Sequence, residues 1–435
     1  MARPRTRISL NVYLNARLVG KLHRQSSGAI DFQYEPKWLS WEHALPVSLS
    51  LPLREDRYTG APVIAVFENL LPDDPVILRR LAERVHADGS DAYSLLAKIG
   101  RDCVGALQFL PEGFEPEAAG AVKVRRVGDD YIARKIGDLT AAPLGLDEDE
   151  EFRISLAGMQ EKTALLFWKK KWHIPRGTTA TTHIMKPQIG MLPSGIDLTR
   201  SVENEYFCLK LTAGLGLPSA NVAVADFNGT RVLVVERFDR LWTKDGRLLR
   251  LPQEDCCQAL SVPPTRKYES DGGPGMAAIL NLLQGSDDPE ADRRFFLKAQ
   301  IALWLLGATD GHAKNFSVFL RPGGRFRLTS LYDVMSVQPP VDVSQLRRNQ
   351  MKLALAIGDN RHYAVHEIMP RHFLQTAARS GIPASVVQEI FDELLKAEHS
   401  AVSKAMDELP ARFPEKLARS IVNGLRTRLR LLEQS

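Results

Sequence analysis

The sequence predicts an α+β chain: a small N-terminal α+β module, then a β-rich half, then a helical half. The last two read as two lobes with a cleft between them. Three observations carry this. Alternating apolar and polar residues open the chain and return near residue 152. Helical spacing, with apolar residues near i, i+3 and i+4, dominates after LPQEDCCQAL. At 435 residues, 44% hydrophobic and 25% charged, the chain is long enough to bury a sizeable core.

The elements follow in order. ISLNVYL, LVGKLHR and AIDFQYE alternate like strands, with SSG as a turn. AVFENLLPDDPVILRRLAERV changes to helical spacing, and Pro75 suits a first helical turn. DAYSLLAKIG is a second helix, closed by Gly100. Residues 1–110 therefore form one module. Residues 111–150, rich in Gly, Ala, Pro and acids, read as a connector, with GLDEDEEF as a solvated acidic turn. FRISLAGMQEKTALLFWKKKWHIP and TTHIMKP are strand-like, and SVENEYFCLKLTAGLGL is a helix. ANVAVADFNGTRVLVVERFDRL is a hairpin around Asn228 and Gly229, a strong two-residue turn signal. These features place a β-rich lobe at 151–245 and a helical lobe at 246–435.

Composition excludes several classes. The net charge of +5 permits phosphate or acidic partners without demanding them. Cys103, Cys208, Cys256 and Cys257 lack CxxC spacing and read as buried thiols of a reducing compartment. The basic N-terminus lacks the continuous apolar core of a signal peptide, and no stretch has the length of a membrane helix. The expectation is a soluble cytosolic protein, without membrane attachment.

The chemistry lies in ATDGHAKNFSVFL, which follows the apolar run QIALWLLG. Asp310 and Asn315 have the D-x-x-x-x-N spacing of protein-kinase catalytic loops. There the Asp takes the substrate hydroxyl proton and the Asn holds Mg²⁺. A second metal carboxylate is expected on a later strand, where Asp333 stands in LTSLYDVMS. A phosphate-binding lysine belongs on a strand of the first lobe. Lys186 ends HIMK as the lysine ends V-A-I-K. An acid on the next helix should pair with it; Glu203 and Glu205 both qualify, and Glu205 is favoured. VVERFDR supplies a linking segment, Glu236, Arg237 and Phe238, to meet a base. Alone, each of these residues reads as a cap, a turn or a surface charge; their order is the stronger signal.

Two departures from the protein-kinase pattern stand out. No G-x-G-x-x-G or G-x-x-x-x-G-K-[ST] is present. ISLAGMQEKTALL occupies that place, and Ser155, Gly158, Gln160, Lys162 and Thr163 could cover phosphates there. His312 follows the Asp rather than preceding it, as a loop-shaping residue.

ISLAGMQEKTALL, THIMKP, VENEYF, VERFDR, LPQED, ATDGHAKNFS and LYDVMS, in this order, resemble the HipA family of bacterial serine/threonine kinase toxins. LVGKL, AIDFQYEPKWLS, LPVSLSLPL and FENLLPD are similar to the family's small N-terminal domain, so the resemblance covers most of the chain. It implies a two-lobed fold distantly related to eukaryotic and lipid kinases. It also implies use of ATP and Mg²⁺, and autophosphorylation at Ser155. Asp310 would be catalytic and Asn315 and Asp333 metal ligands. Lys186 would sit at the ATP phosphates, and Glu236 and Phe238 at the adenine. Gln253 and Asp255 would lie near nucleotide or substrate, and His312 and Lys314 at the nucleotide with them. The implied partners are a HipB-like helix-turn-helix antitoxin, operator DNA through that complex, and an aminoacyl-tRNA synthetase substrate such as glutamyl-tRNA synthetase.

Two other classes stay open on sequence. A phosphoinositide-type lipid kinase would need a membrane-facing surface, for which LARSIVNGLRTRLRLL is the nearest candidate. A non-catalytic component of a repressor–DNA complex could use KVRR at 123–126 and SQLRR at 344–348.

Overall fold

The computed structural model describes residues 8–146 and 153–434; the acidic run lies, from residue 147, outside the described residues. The N-terminal strands form an antiparallel five-stranded sheet. Its order is Tyr58–Thr59, Ile30–Tyr34, Arg17–Arg24, Ile8–Leu14 and Leu107–Pro111. The helical run expected near 65–85 is two helices, Ala61–Glu68 and Pro75–Arg84. Asn69 ends the first by donating its side-chain amide to the Ala65 carbonyl, 2.8 Å away. Asp74 caps the second by accepting from Val76 N, and Pro75 sits where its missing N–H costs nothing. The six residues between them form a turn that matters below.

The central sheet has six antiparallel strands. Their order is Val222–Phe227, Thr230–Glu236, His183–Pro187, Thr163–Trp168, Lys171–Pro175 and Val124–Arg126. Asn228 and Gly229 turn the first hairpin at φ 51° and 85°, the left-handed pair that a tight two-residue hairpin requires. Residues 111–150, expected as a connector, supply the edge strand Val124–Arg126 and the helix Asp129–Gly137. Three residues are too few to show a period, so the strand left no sequence signal. Conversely, 153–162 is not the strand its pattern predicts. Its backbone is bonded elsewhere: Ser155 N donates to Asp102 O at 2.9 Å.

The second lobe is built on the helices Pro289–Leu306, Ala384–Asp407 and Glu415–Leu432. It is less purely helical than expected. Gln253–Asp255, Ser317–Arg321 and Arg325–Leu328 form a three-stranded sheet, and Lys352–Ile357 pairs with His362–Ala364. The apolar run 300–306 is the buried end of the first of these helices, stopped by Gly307 at φ 64°. That left-handed conformation favours glycine, and a Cβ there would also push on the tip of the Met351 side chain. The chain is thus an α+β protein with a two-lobed kinase-like body behind a small N-terminal module.

One contiguous hydrophobic cluster runs from Leu10 to Leu432 through all of these parts. A buried ionic knot reinforces the seam between module and lobes. Asp102 accepts from Thr181 N at 2.9 Å, Arg250 Nε at 2.9 Å and Arg240 Nη2 at 2.9 Å, with Arg237 Nη1 3.5 Å away. Burial alone would raise the Asp102 pKa, but the three guanidiniums outweigh it and hold the carboxyl far below the usual range. All four cysteines are buried free thiols.

Candidate active site

A cleft of about 730 Å³ opens where the two lobes and the N-terminal module meet. That size suits a nucleotide-sized ligand. Its roof is the stretch Leu156–Lys162. Its back wall carries Ile184, Lys186, Val235 and Phe238, and its floor carries Asp310, His312, Asn315, Tyr332 and Asp333.

The strand His183–Pro187 directs Lys186 into the cleft. Its Nζ donates to Glu205 Oε1 and to Asp333 Oδ1, each at 2.7 Å. Of the two acids considered on the helix Ser201–Gly214, Glu205 meets the lysine, while Glu203 faces Gln188 and Arg231. Burial disfavours the Lys186 ammonium, but Asp333 and Glu205 more than compensate and its pKa rises. Burial raises Glu205, with Lys186 offsetting it in part. Asp333 has φ 57°, a left-handed residue other than glycine, held there by this pairing. Burial would raise its pKa, yet Lys186 and Lys162 win and hold it well below the carboxylate range.

Asp310 stands on the floor with its carboxylate 55% open to the cleft. Packed cleft walls nevertheless displace much of the water around it. This desolvation, with repulsion from Asp333, raises its pKa to about 6 against a hydrogen bond from Tyr268. Tyr268 donates that bond to Oδ1 at 2.5 Å. Asn315 closes the loop by donating its side-chain amide to the Asp310 carbonyl at 2.7 Å. His312 is buried and its pKa falls to about 3 through desolvation and the nearby Lys267, so it is neutral at physiological pH. The ring lies 3.8 Å from Asp310 and edge-on to Tyr268.

The roof is fixed locally. Lys162 donates to Ala157 O at 2.7 Å, and desolvation together with Lys186 lowers its pKa to about 8. Gly158 has φ 101°, and a Cβ there would lie 2.7 Å from Lys162 Nζ. Gln160 donates to Pro187 O. Thr163 Oγ1 is turned away, to Leu144 O. Ser155 does not line the cleft. It is fully buried behind the roof, where Oγ donates to Leu70 O at 2.6 Å.

Phe238 packs on Phe319 and Tyr332 beside the cleft, and the Glu236 side chain bonds Asn221. Arg237 was expected beside the nucleotide, but its guanidinium points into the ionic knot, to Asp239, Thr181 and Cys103 O. Alternation along an extended segment puts Arg237 opposite its two neighbours. Gln253 lines the cleft. Lys314 is buried on Asp255 Oδ2 at 2.8 Å and on Asn69. The reading of the sequence missed Asn69, Asp73, Lys267 and Tyr268, and the helix-end residues Ile136 and Leu139, all of which line the cleft or touch its charged groups. FENLLPD was noticed as a motif, but no spacing ties it to Asp310.

A family model described as the HipA-like C-terminal domain matches residues 154–402, and one described as the HipA N-terminal domain matches residues 10–110. The chain belongs to the HipA family. A Sinorhizobium fredii protein described as putative kinase Y4mE is 34% identical over 92% of both chains. The serine/threonine-protein kinase toxin HipA of Shewanella oneidensis is 29% identical, covering 81% of this chain and 79% of that one. The solved complex of Shewanella oneidensis HipA, HipB and its operator DNA contains a chain that superposes with a TM-score of 0.78 at 25% identity. That match covers 98% of this chain and 97% of the other.

The HipA assignment does not favour the other two classes. The helix Glu415–Leu432, considered as a lipid anchor, buries Ile421, Val422, Leu425 and Leu429 in the core and donates from Arg428 to Leu305 O. Among the described residues no helix is long and apolar enough to cross a membrane.

Proposed function

We propose that this chain is an ATP-dependent serine/threonine protein kinase acting as the toxin of a toxin–antitoxin pair in the bacterial cytoplasm. One observation carries the reading. Lys186, Glu205 and Asp333 form a bonded triplet in the same cleft as Asp310, which among the described residues has no lysine or arginine in direct contact and is open to solvent.

Lys186 and Lys162 give the back of the cleft the positive charge that phosphates require. Phe238, Ile184 and Val235 supply apolar surface for a base, and the backbone of Glu236 to Phe238 runs alongside. Asp333 and Asn315 offer a carboxylate and an amide oxygen, hard ligands of the kind Mg²⁺ takes while keeping its waters. Bound there, the metal would offset charge developing on the transferred phosphoryl group. Asp310, with a pKa near 6, is mostly ionised at neutral pH yet basic enough to accept a serine hydroxyl proton. His312 is neutral and adds no charge to compete.

The relative's complex with HipB and operator DNA supports an antitoxin partner for this chain, with DNA reached through it. A serine of an aminoacyl-tRNA synthetase, glutamyl-tRNA synthetase among them, is the proposed target. Autophosphorylation at Ser155 is the proposed control. The test is phosphoproteomic. Cells making the wild-type chain should carry phosphoserine on the target that cells making Asp310→Asn lack; identical phosphoproteomes would remove the kinase reading.

A further inference from the structure

The turn Asn69–Asp73, between two helices of the N-terminal module, touches the cleft's floor and roof from outside both lobes. Lys314, between Asp310 and Asn315 in the loop, is fully buried. Its ammonium donates to Asn69 O at 2.6 Å, Asn69 Oδ1 at 2.9 Å and Asp255 Oδ2 at 2.8 Å. All three donors are used, and two go to the module. Asp73 Oδ1 stands 3.9 Å from the same ammonium.

Asp73 makes a second connection. Its Oδ2 accepts from Lys267 Nζ at 2.8 Å, with both side chains buried. Lys267 precedes Tyr268, whose hydroxyl holds Asp310. Asp73 thus lies one ion pair from each flank of the proton-accepting carboxylate. Burial would raise its pKa, but Lys314 and Lys267 reverse the sign, so it is ionised. The backbone of the turn also meets the roof: Asp73 N donates to Gly158 O at 3.4 Å.

Asp310-Gly-His-Ala-Lys-Asn begins beyond the helix end; inside it Asn315 bonds the Asp310 carbonyl, and Lys314 ties it to Asp255 and to the module. A catalytic group misplaced by about 1 Å can lose about a hundredfold in rate.

We infer that Asp73 and Asn69 are positioning residues for phosphoryl transfer: the N-terminal module completes the active site by pinning the Asp310–Asn315 loop through Lys314 and Tyr268 through Lys267. The inference rests on the kinase reading above.

The test uses the full chain and γ-labelled ATP with Mg²⁺. The readout is the initial rate of phosphate incorporation per ATP-binding site, with sites counted by calorimetry. Wild type and Asp310→Asn come first. If wild type shows no Asp310-dependent incorporation, the kinase reading falls, and the positioning role falls with it. If it does, Asp73→Ala and Lys267→Met are compared with wild type. Asp73 and Lys267 line the cleft, so ATP affinity is measured for each variant and the rates are compared at saturating ATP. The rate per site at saturating ATP should fall about ten- to a hundredfold. The double variant should lose little more than either single one, because both break the same contact. A purely structural role predicts fewer binding sites and a lower melting temperature with an unchanged rate per site. That result overturns the inference, as does a rate within about twofold of wild type in both folded variants. If Asp73→Ala does not fold, Lys267→Met alone decides, since it removes the ion pair and keeps the side-chain volume.

Discussion

Lys186 Nζ lies 2.7 Å from Asp333 Oδ1, and this one ion pair ties the central sheet to the floor of the second lobe across the cleft. The lysine is also held by Glu205, so it is prepaid in orientation before any phosphate arrives. Replacing it with alanine removes the strongest positive charge at the back of the cleft. Lys186→Ala should weaken ATP binding about tenfold or more, read by calorimetric titration. Unchanged affinity together with unchanged turnover would place the lysine outside the nucleotide site.

Asp310→Asn removes the proposed proton acceptor, and Asp333→Asn removes a carboxylate from the proposed metal site. Each should lower phosphate transfer about a hundred- to ten-thousandfold. Asp310→Asn should leave the melting temperature nearly unchanged, because that carboxylate is open to the cleft. Growth arrest on expression should disappear with both. Persistence of full toxicity in both folded variants would count decisively against an enzymatic toxin.

Ser155 Oγ is bonded to Leu70 O in a site with no exposed surface. A phosphate there adds about −1.5 to −2 charges and cannot fit behind the roof. Phosphorylation therefore requires the stretch 155–158 to leave the N-terminal module, and the product cannot return. Protein made with Asp310 intact should carry phosphate on Ser155 by mass spectrometry, and Asp310→Asn protein should not. Ser155→Asp should bind ATP more weakly, whereas Ser155→Ala should bind it nearly as wild type does. Equal affinity in the phosphorylated and unmodified proteins would defeat the switch.

Asp102 gives the protein an acid limb to its stability. Its folded pKa lies far below the unfolded value of 3.8, so the folded state holds the proton less tightly. Stability from this group is complete above roughly pH 5 and is lost progressively as pH falls through 4 and below. Asp102→Asn leaves three buried guanidiniums short of a partner and should cost about 3–5 kcal/mol at neutral pH. The gap to wild type should narrow as pH falls toward about 3. Urea unfolding across that range measures it, and parallel curves would assign the acid sensitivity to other carboxylates.

What the sequence revealed followed from how local each signal was. Lys186, Asp310, Asn315 and Asp333 sit in short motifs whose residue types belong to a particular chemistry, and the structure gathers them into one cleft. The hairpin at Asn228 and Gly229 was equally plain, since turn chemistry is decided by two residues. Arg237 lines the cleft with Glu236 and Phe238, while its guanidinium turns into the ionic knot, as the two-residue period of an extended segment allows. Asn69 and Asp73 stand in FENLLPD, which carried only the likeness to the small N-terminal domain, and Lys267 and Tyr268 left no signal; the partners of all four are distant in sequence and meet only through tertiary packing. The edge strand Val124–Arg126 was hidden in a stretch whose composition reads as loop, and its pairing with Lys171–Pro175 decides its conformation.

The four buried thiols make the protein its own opening gauge. Burial pushes Cys103 and Cys208 up to about 12 and Cys256 well above its ordinary value, so none is a thiolate at neutral pH. Alkylating reagents can reach them only through excursions from the closed state. Cys103 lies in the seam, where its carbonyl accepts from Arg237 and Arg240, whereas Cys256 and Cys257 begin the short helix capped by Asp255. Labelling at Cys103 therefore clocks detachment of the N-terminal module, and labelling at Cys256 clocks breathing of the catalytic floor. The ratio of the two rates tells whether this chain opens piece by piece or all at once.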